Sequence, residues 1–229
     1  MSACVTIAVL WIVFGATHLV LSSKTLRPRL VARLGPTAFQ SVYSAAVLGS
    51  FLPLLWVFFT NKHAGPLLWT TIGPADVARP LNYALNTLAI VLLVVSLVPA
   101  SAAPSSLGAA STVGVVPHGI LRITRHPMMA AYGCWAVAHL LVNGYLGDVL
   151  FFGGFAVWVW MGTRHQDARL TRDRPGYGAL VASTSFVPFA AILARRQRLV
   201  IAELPFVSIA AGLVLAVAVR WWHGTLFGP

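Results

Sequence analysis

Polar residues in this chain do not alternate with apolar ones at a helical or strand period; they fall in short clusters between long apolar runs. Six such runs, residues 3–22, 38–60, 81–100, 127–143, 146–163 and 200–222, approach or exceed the length needed to cross about 30 Å of hydrocarbon at about 1.5 Å per residue. The pattern predicts an all-α, polytopic membrane helix bundle of about six transmembrane helices. The fourth run, Pro127 to Asn143, is at the short end of that range. A stretch of small and polar residues, Ala100 to Ser111, reads as a flexible linker inside one membrane domain covering 1–229, and no internal repeat is visible.

Composition supports this. With 58% hydrophobic and 9% charged residues and a mean hydropathy of +0.81, the chain has too few charges to cover a water-soluble globule of its length. The net charge of +11 is unevenly placed, because 13 of the 16 Lys and Arg residues lie in the first, third and fifth loops. Short loops rich in Lys and Arg stay cytoplasmic, so both termini are expected outside the cytoplasm. The same asymmetry accounts for the charge through topology and leaves no need for a nucleic-acid partner. The first run lacks a basic leader, and His18 and SSKTLR follow within it and just after it, so it is expected to be retained as a helix rather than cleaved. Cys4 and Cys134 have no metal-site spacing and differ in depth, which argues against a disulfide.

The candidate chemistry sits where ionisable groups meet apolar spans. His18, in GATHLVLSS, lies about a turn from the cytoplasmic end of the first span, with Gly15 and Ala16 expected to allow close approach of a helix or a flat ligand. His139, in CWAVAHLLVNG, is flanked by apolar residues on both sides; Asn143, four residues on, shares its face and could bond the ring. A buried imidazole either finds a hydrogen-bond partner or ligates a metal, and neutral imidazole is a common haem-iron ligand. His126 precedes Pro127 at a helix start, and Arg122 and Arg125 lie beside it, so this amino end suits an anionic group such as a phosphate, a carboxylate or a haem propionate. Asp167 stands three residues from Arg164, its expected local partner, or closes a polar cap with His126. The segment STSFVPFAAIL that follows is expected at the membrane interface.

Taken together, GATHLVLSS with LRPRL, LGPTAFQSVYS, GILRITRHPMM, WAVAHLLVNG and HQDARL resemble the NnrU family of bacterial membrane proteins, over roughly residues 10 to 170. That resemblance implies an accessory role linked to denitrification. The chain is also similar to the zeta-carotene isomerases, in which two axial histidines hold a membrane-embedded haem b. Carried over by motif, those histidines fall on His18 and His139, with Ala136 standing where the isomerases have a cysteine, and the substrate would be hydrophobic. The span limits put His18 and His139 at depths about 10 Å apart, whereas two axial nitrogens must lie within about 4 Å of one another. A further likeness runs through RHPMM, QDARL and GYGALVASTSFVPF to the isoprenylcysteine methyltransferases, which bind S-adenosylmethionine there; Met129 and the Gln166–Asp167 pair depart from that pattern. A haem-dependent isomerase or redox role, a non-catalytic assembly or transport factor, and a methyltransferase are the three alternatives.

Overall fold

A computed structural model describes residues 2–23, 25–97 and 116–227. The linker expected at Ala100 to Ser111 lies outside the described residues. Ten α-helices are described: α1 Ala3–Leu21, α2 Leu26–Leu34, α3 Pro36–Thr60, α4 Ala75–Ser96, α5 Ile120–Ile123, α6 Pro127–Val142, α7 Leu146–Asp173, α8 Tyr177–Ser183, α9 Ala190–Leu193 and α10 Phe206–Phe227. Among the described residues there is no strand, only an isolated bridge between Leu67 and Tyr145. Helices α1, α3, α4, α7 and α10 are long and apolar enough to cross a membrane. Helix α6, the fourth expected span, has 16 residues, or about 24 Å, short of a full hydrocarbon core.

Three boundaries differ from the sequence expectation. Helix α4 starts at Ala75 rather than 81, because Pro80 falls in its second turn and does not prevent the polar segment before it from winding. Helix α7 runs ten residues past the apolar stretch to Asp173; its polar continuation contains good helix formers, and nothing before Pro175 stops it. Helix α10 begins only at Phe206, directly after Pro205, whose fixed φ suits a helix entrance.

The chain divides into two compact units. The first comprises residues 1–75 and 139–158. In it, Ser2 caps α1 through a bond from the Val5 amide to its hydroxyl, and α1 packs along α3. The segment after α3 folds back on the α6–α7 turn. Leu68 N donates to Gly144 O at 2.8 Å, Ile72 N to Leu141 O at 2.9 Å, Leu146 N to Pro66 O at 3.0 Å and Gly147 N to Ala64 O at 2.8 Å. The last two bonds satisfy first-turn amides of α7 that no helix can satisfy internally. Asp148, in that same turn and 1% exposed, accepts from the His63 amide at 3.3 Å and bonds the His63 ring at 2.7 Å. An acid at a helix amino end is also favoured by the helix dipole. Gly144 is required here, since a Cβ would lie 2.0 Å from the Trp69 carbonyl oxygen.

The second unit comprises residues 76–138 and 159–229. Leu92 and Val95 of α4 form a core with Ile120, Ile123, Ala130 and Ala131, against which Phe186, Ile192 and Ile209 pack. Asn82, buried on α4, donates to Ala138 O at 2.7 Å. The stretch expected at the membrane interface forms the short α9, with Val187 and Phe189 exposed and Leu193 82% exposed. Large apolar groups left open beside Arg195, Arg196 and Arg198 suit an interfacial position.

Candidate functional site

The first unit holds both span histidines. His18 reaches from α1 to α3, where the Tyr43 hydroxyl lies 3.0 Å from Nδ1 and 3.2 Å from Nε2. Its ring packs against Phe14 at 6.0 Å and edge-on to Trp158 at 5.7 Å. Tyr43 stands in the SVYS motif, but sequence reading gave it no role, since nothing in the spacing links it to a histidine 25 residues earlier. Gly15 is not the point of close approach: a Cβ there would meet nothing within 4 Å. That place belongs to Gly154 on α7, where a Cβ would come within 2.3 Å of the Trp11 indole. Trp11 therefore lies flat on α7, with Phe155 edge-on at 4.9 Å and its buried Nε1 lacking a hydrogen-bond acceptor among the described residues.

His139 stacks on Phe152, with ring centres 4.6 Å apart and planes 18° apart. Asn143 does not take up the role expected of it; its amide donates to the His139 carbonyl at 2.9 Å rather than to the ring. A side-chain amide one turn on reaches the open carbonyls of a helix end more easily than a neighbouring imidazole.

The donor chemistry of this pair fits a haem, being two imidazoles among apolar rings of one unit. His18 lies against Trp158 and His139 against Phe152, six residues earlier on α7, or about 9 Å along its axis. Trp11, Phe14, Phe151 and Phe155 are in ring contact in the same region, with Phe14 against Trp11 and Trp11 against Phe151 and Phe155. Both imidazoles thus border α7 within this unit.

The second unit carries a polar cluster built on Asp167. One carboxylate oxygen accepts from Arg125 Nε at 2.9 Å and Nη2 at 2.6 Å; the other bonds His126 Nε2 at 2.8 Å and accepts from the Tyr177 hydroxyl at 3.1 Å. The His126 side chain is 2% exposed. The local pairing of Asp167 with Arg164 is thus overturned. Arg164 instead lies over the Trp160 ring at 4.8 Å, and the guanidinium that reaches Asp167 comes from the RHP turn. The polar cap with His126 forms as the alternative expected. Burial and the Asp167 carboxylate, in that order, push the Tyr177 phenol above its usual range. The RHP turn is further tied down by Arg125 N to Ser185 O at 3.0 Å and Thr124 Oγ1 to Phe186 O at 2.7 Å.

Arg122 binds Glu203 through Nε at 2.7 Å and Nη2 at 2.9 Å, and the Gly119 amide donates to the same carboxylate at 2.8 Å. Arg122, Arg125 and His126, expected to cradle an external anion, therefore hold carboxylates of the chain itself. Four of the five acidic residues, Asp148, Asp167, Asp173 and Glu203, are engaged in this way with His or Arg. Sequence reading missed Glu203 and Tyr177; the one available signal was the scarcity of acids, which makes each of them costly to place near an apolar span.

Arg122, followed by the Gly119 amide, holds the Glu203 carboxyl down to about 2. A carboxyl with a depressed folded-state value contributes stability above its unfolded value of about 4.3, and that contribution disappears as pH falls through the folded value. The difference in thermal midpoint between wild type and Glu203→Gln is accordingly expected to be constant from pH 7 to about 5, to shrink below about 4.3 and to vanish near 2. A difference independent of pH would show that the Glu203–Arg122 charge pair contributes nothing.

Comparison with known proteins places this geometry. The family model described as NnrU protein matches residues 6–229, and the chain belongs to that family. It is 27% identical over 238 aligned positions to the chloroplastic 15-cis-zeta-carotene isomerase of Arabidopsis thaliana, covering 98% of this chain and 61% of that protein. It is 39% identical over 82 positions to the enzyme of the same name from Zea mays, covering 35% of this chain and 22% of the relative. The chain thus spans less than two thirds of the length of these relatives. No solved structure matches it.

Proposed function

We propose that this multi-pass membrane protein of the NnrU family is an isomerase-like enzyme that acts within the bilayer on an extended apolar polyene. The single observation that carries this is the similarity to a 15-cis-zeta-carotene isomerase along 98% of the chain. The first unit is suited to such a substrate, because conjugated double bonds stack on aromatic faces and Trp11, Phe14, Phe51, Phe155 and Trp158 supply them around His18. The His18–Tyr43 pair is the ionisable group nearest that wall, and it can exchange a proton through one hydrogen bond.

Haem b on His18 and His139 belongs to the same proposal through the family likeness. An inner-membrane location in a bacterium is also part of the reading, through the family likeness. No feature of either unit favours the denitrification-linked accessory role or a methyltransferase over this.

The test is conversion. Cells that accumulate 15-cis-zeta-carotene, made to express this chain, are expected to shift their pigment on chromatography to the isomer with a trans central double bond. Pigment that stays in the 15-cis form while the protein is present and folded in the membrane would overturn the isomerase reading and leave the assembly or transport role.

A further inference from the structure

Three basic residues, Lys62, Arg79 and Arg220, lie away from the arginine-rich loops, and two of them are arginines. Arg220 is 14 residues into α10, about 21 Å along the helix from its start, and Arg195, Arg196 and Arg198 precede that start. Cations on the poorly charged side of a membrane protein run against the rule that sets its orientation, so both call for a separate reason.

Helices α4 and α10, both in the second unit, supply one. Val91 of α4 meets α10 at Gly212, where a Cβ would lie 2.8 Å from the Val91 Cα. From that contact the helices run on at matching four-residue steps: Thr87, Tyr83 and Arg79 on α4, Ala216 and Arg220 on α10. Where Gly212 no longer holds the backbones together, a groove of about 630 Å³ opens, lined by Thr87, Leu213, Ala216, Val217, Arg220 and Trp221. Its floor is apolar, with Val217 69% exposed, and its outer end carries an indole 81% exposed. Arg220 crosses this end, donating to the Tyr83 hydroxyl at 3.1 Å with its guanidinium 4.6 Å over the Tyr83 ring. Among the described residues no carboxylate, Asp76 included, lies within ion-pair distance of Arg79 or Arg220.

We infer that this groove is a binding site for one anionic phospholipid, with its phosphate on Arg220 and an acyl chain along Leu213 and Val217. The charge decides the occupant. A neutral polyene would leave Arg220 without a counter-ion, whereas a lipid with a net negative head meets both the apolar floor and the guanidinium end. The site is independent of the isomerase reading and stands or falls separately from it.

Native mass spectrometry of the full chain released from detergent micelles tests this with three probes: phosphatidylglycerol, phosphatidylcholine and inorganic phosphate. One phosphatidylglycerol is expected to remain bound at activation that strips the detergent. Phosphatidylcholine should be held at least about tenfold more weakly, and inorganic phosphate should neither bind nor displace the lipid. Arg220→Gln should weaken retention about tenfold or more, the loss of one charge-assisted contact, while Arg220→Lys keeps most of it. Val217→Trp, which fills the floor on an exposed position, should also weaken it, and Arg164→Gln should not. Equal retention of phosphatidylglycerol by Arg220→Gln, equal retention of phosphatidylcholine by wild type, displacement by phosphate alone, or an equal loss in Arg164→Gln would each overturn the inference.

Discussion

Asp167→Ala is expected to be the most destabilising single substitution in the second unit. The carboxylate bonds three side chains, from Arg125, His126 and Tyr177. Removing it leaves a guanidinium that is only 13% exposed without its counter-charge and a buried imidazole without its hydrogen-bond partner. Breaking a buried ion pair from one side costs about 3–5 kcal/mol, because the remaining charge stays buried and uncompensated. For a chain of this size each kcal/mol corresponds to about 2–4 °C, so a fall in thermal midpoint of roughly 10 °C follows. Asp167→Asn keeps an acceptor and the shape, and should lose less. The measurement is thermal unfolding of detergent-purified protein, followed by helical circular dichroism. A midpoint within about 2 °C of wild type for Asp167→Ala would mean that Arg125 and His126 are solvated without it, and that the cluster is not what ties the RHP turn to the segment 182–189.

The second large effect is spectroscopic. If haem b binds as proposed, protein purified from haem-replete cells should show a Soret band, with sharp bands on reduction of a low-spin bis-imidazole iron. His18→Ala and His139→Ala should each remove or shift these bands, because each would take away one of the two imidazoles proposed to hold the haem. Since Trp158 packs on His18, with Trp11 next to it on Phe14, adding haem to the apoprotein should change tryptophan emission. Retention of the wild-type spectrum in both variants would exclude this ligand pair, and a colourless protein after reconstitution with haem would exclude the cofactor. Neither result bears on the pigment-conversion test, which measures the reaction itself.

Much of the architecture was legible in the sequence because burial in a bilayer needs only length and apolarity. Five of the six expected runs match long apolar helices, and the sixth is the short α6. The boundaries were less legible. Pattern reading stops where hydrophobicity stops, while α7 continues as a helix through RHQDARLTRD and α10 waits for Pro205. His126, Arg125 and Asp167 could be named as one polar cap from their position at span mouths, but not paired. Asp167 has Arg164 nearby in sequence and Arg125 42 residues away, and spacing always favours the former.

What the sequence determined by itself was the class: a membrane helix bundle, the NnrU family, and the two span histidines with the RHP turn as its unusual chemistry. Those follow from composition and from motifs whose order survives without coordinates. Tertiary structure alone decided who partners whom: Tyr43 with His18, Phe152 with His139, Glu203 with Arg122, and Arg220 with Tyr83 at the mouth of a groove. These contacts join residues 13 to 137 positions apart, brought together by helix packing, and nothing in the local chain encodes them. The positions that set such approaches, Gly144, Gly154 and Gly212, are silent in sequence for the same reason, since a missing Cβ has meaning only once the opposing Trp69, Trp11 or Val91 is in place.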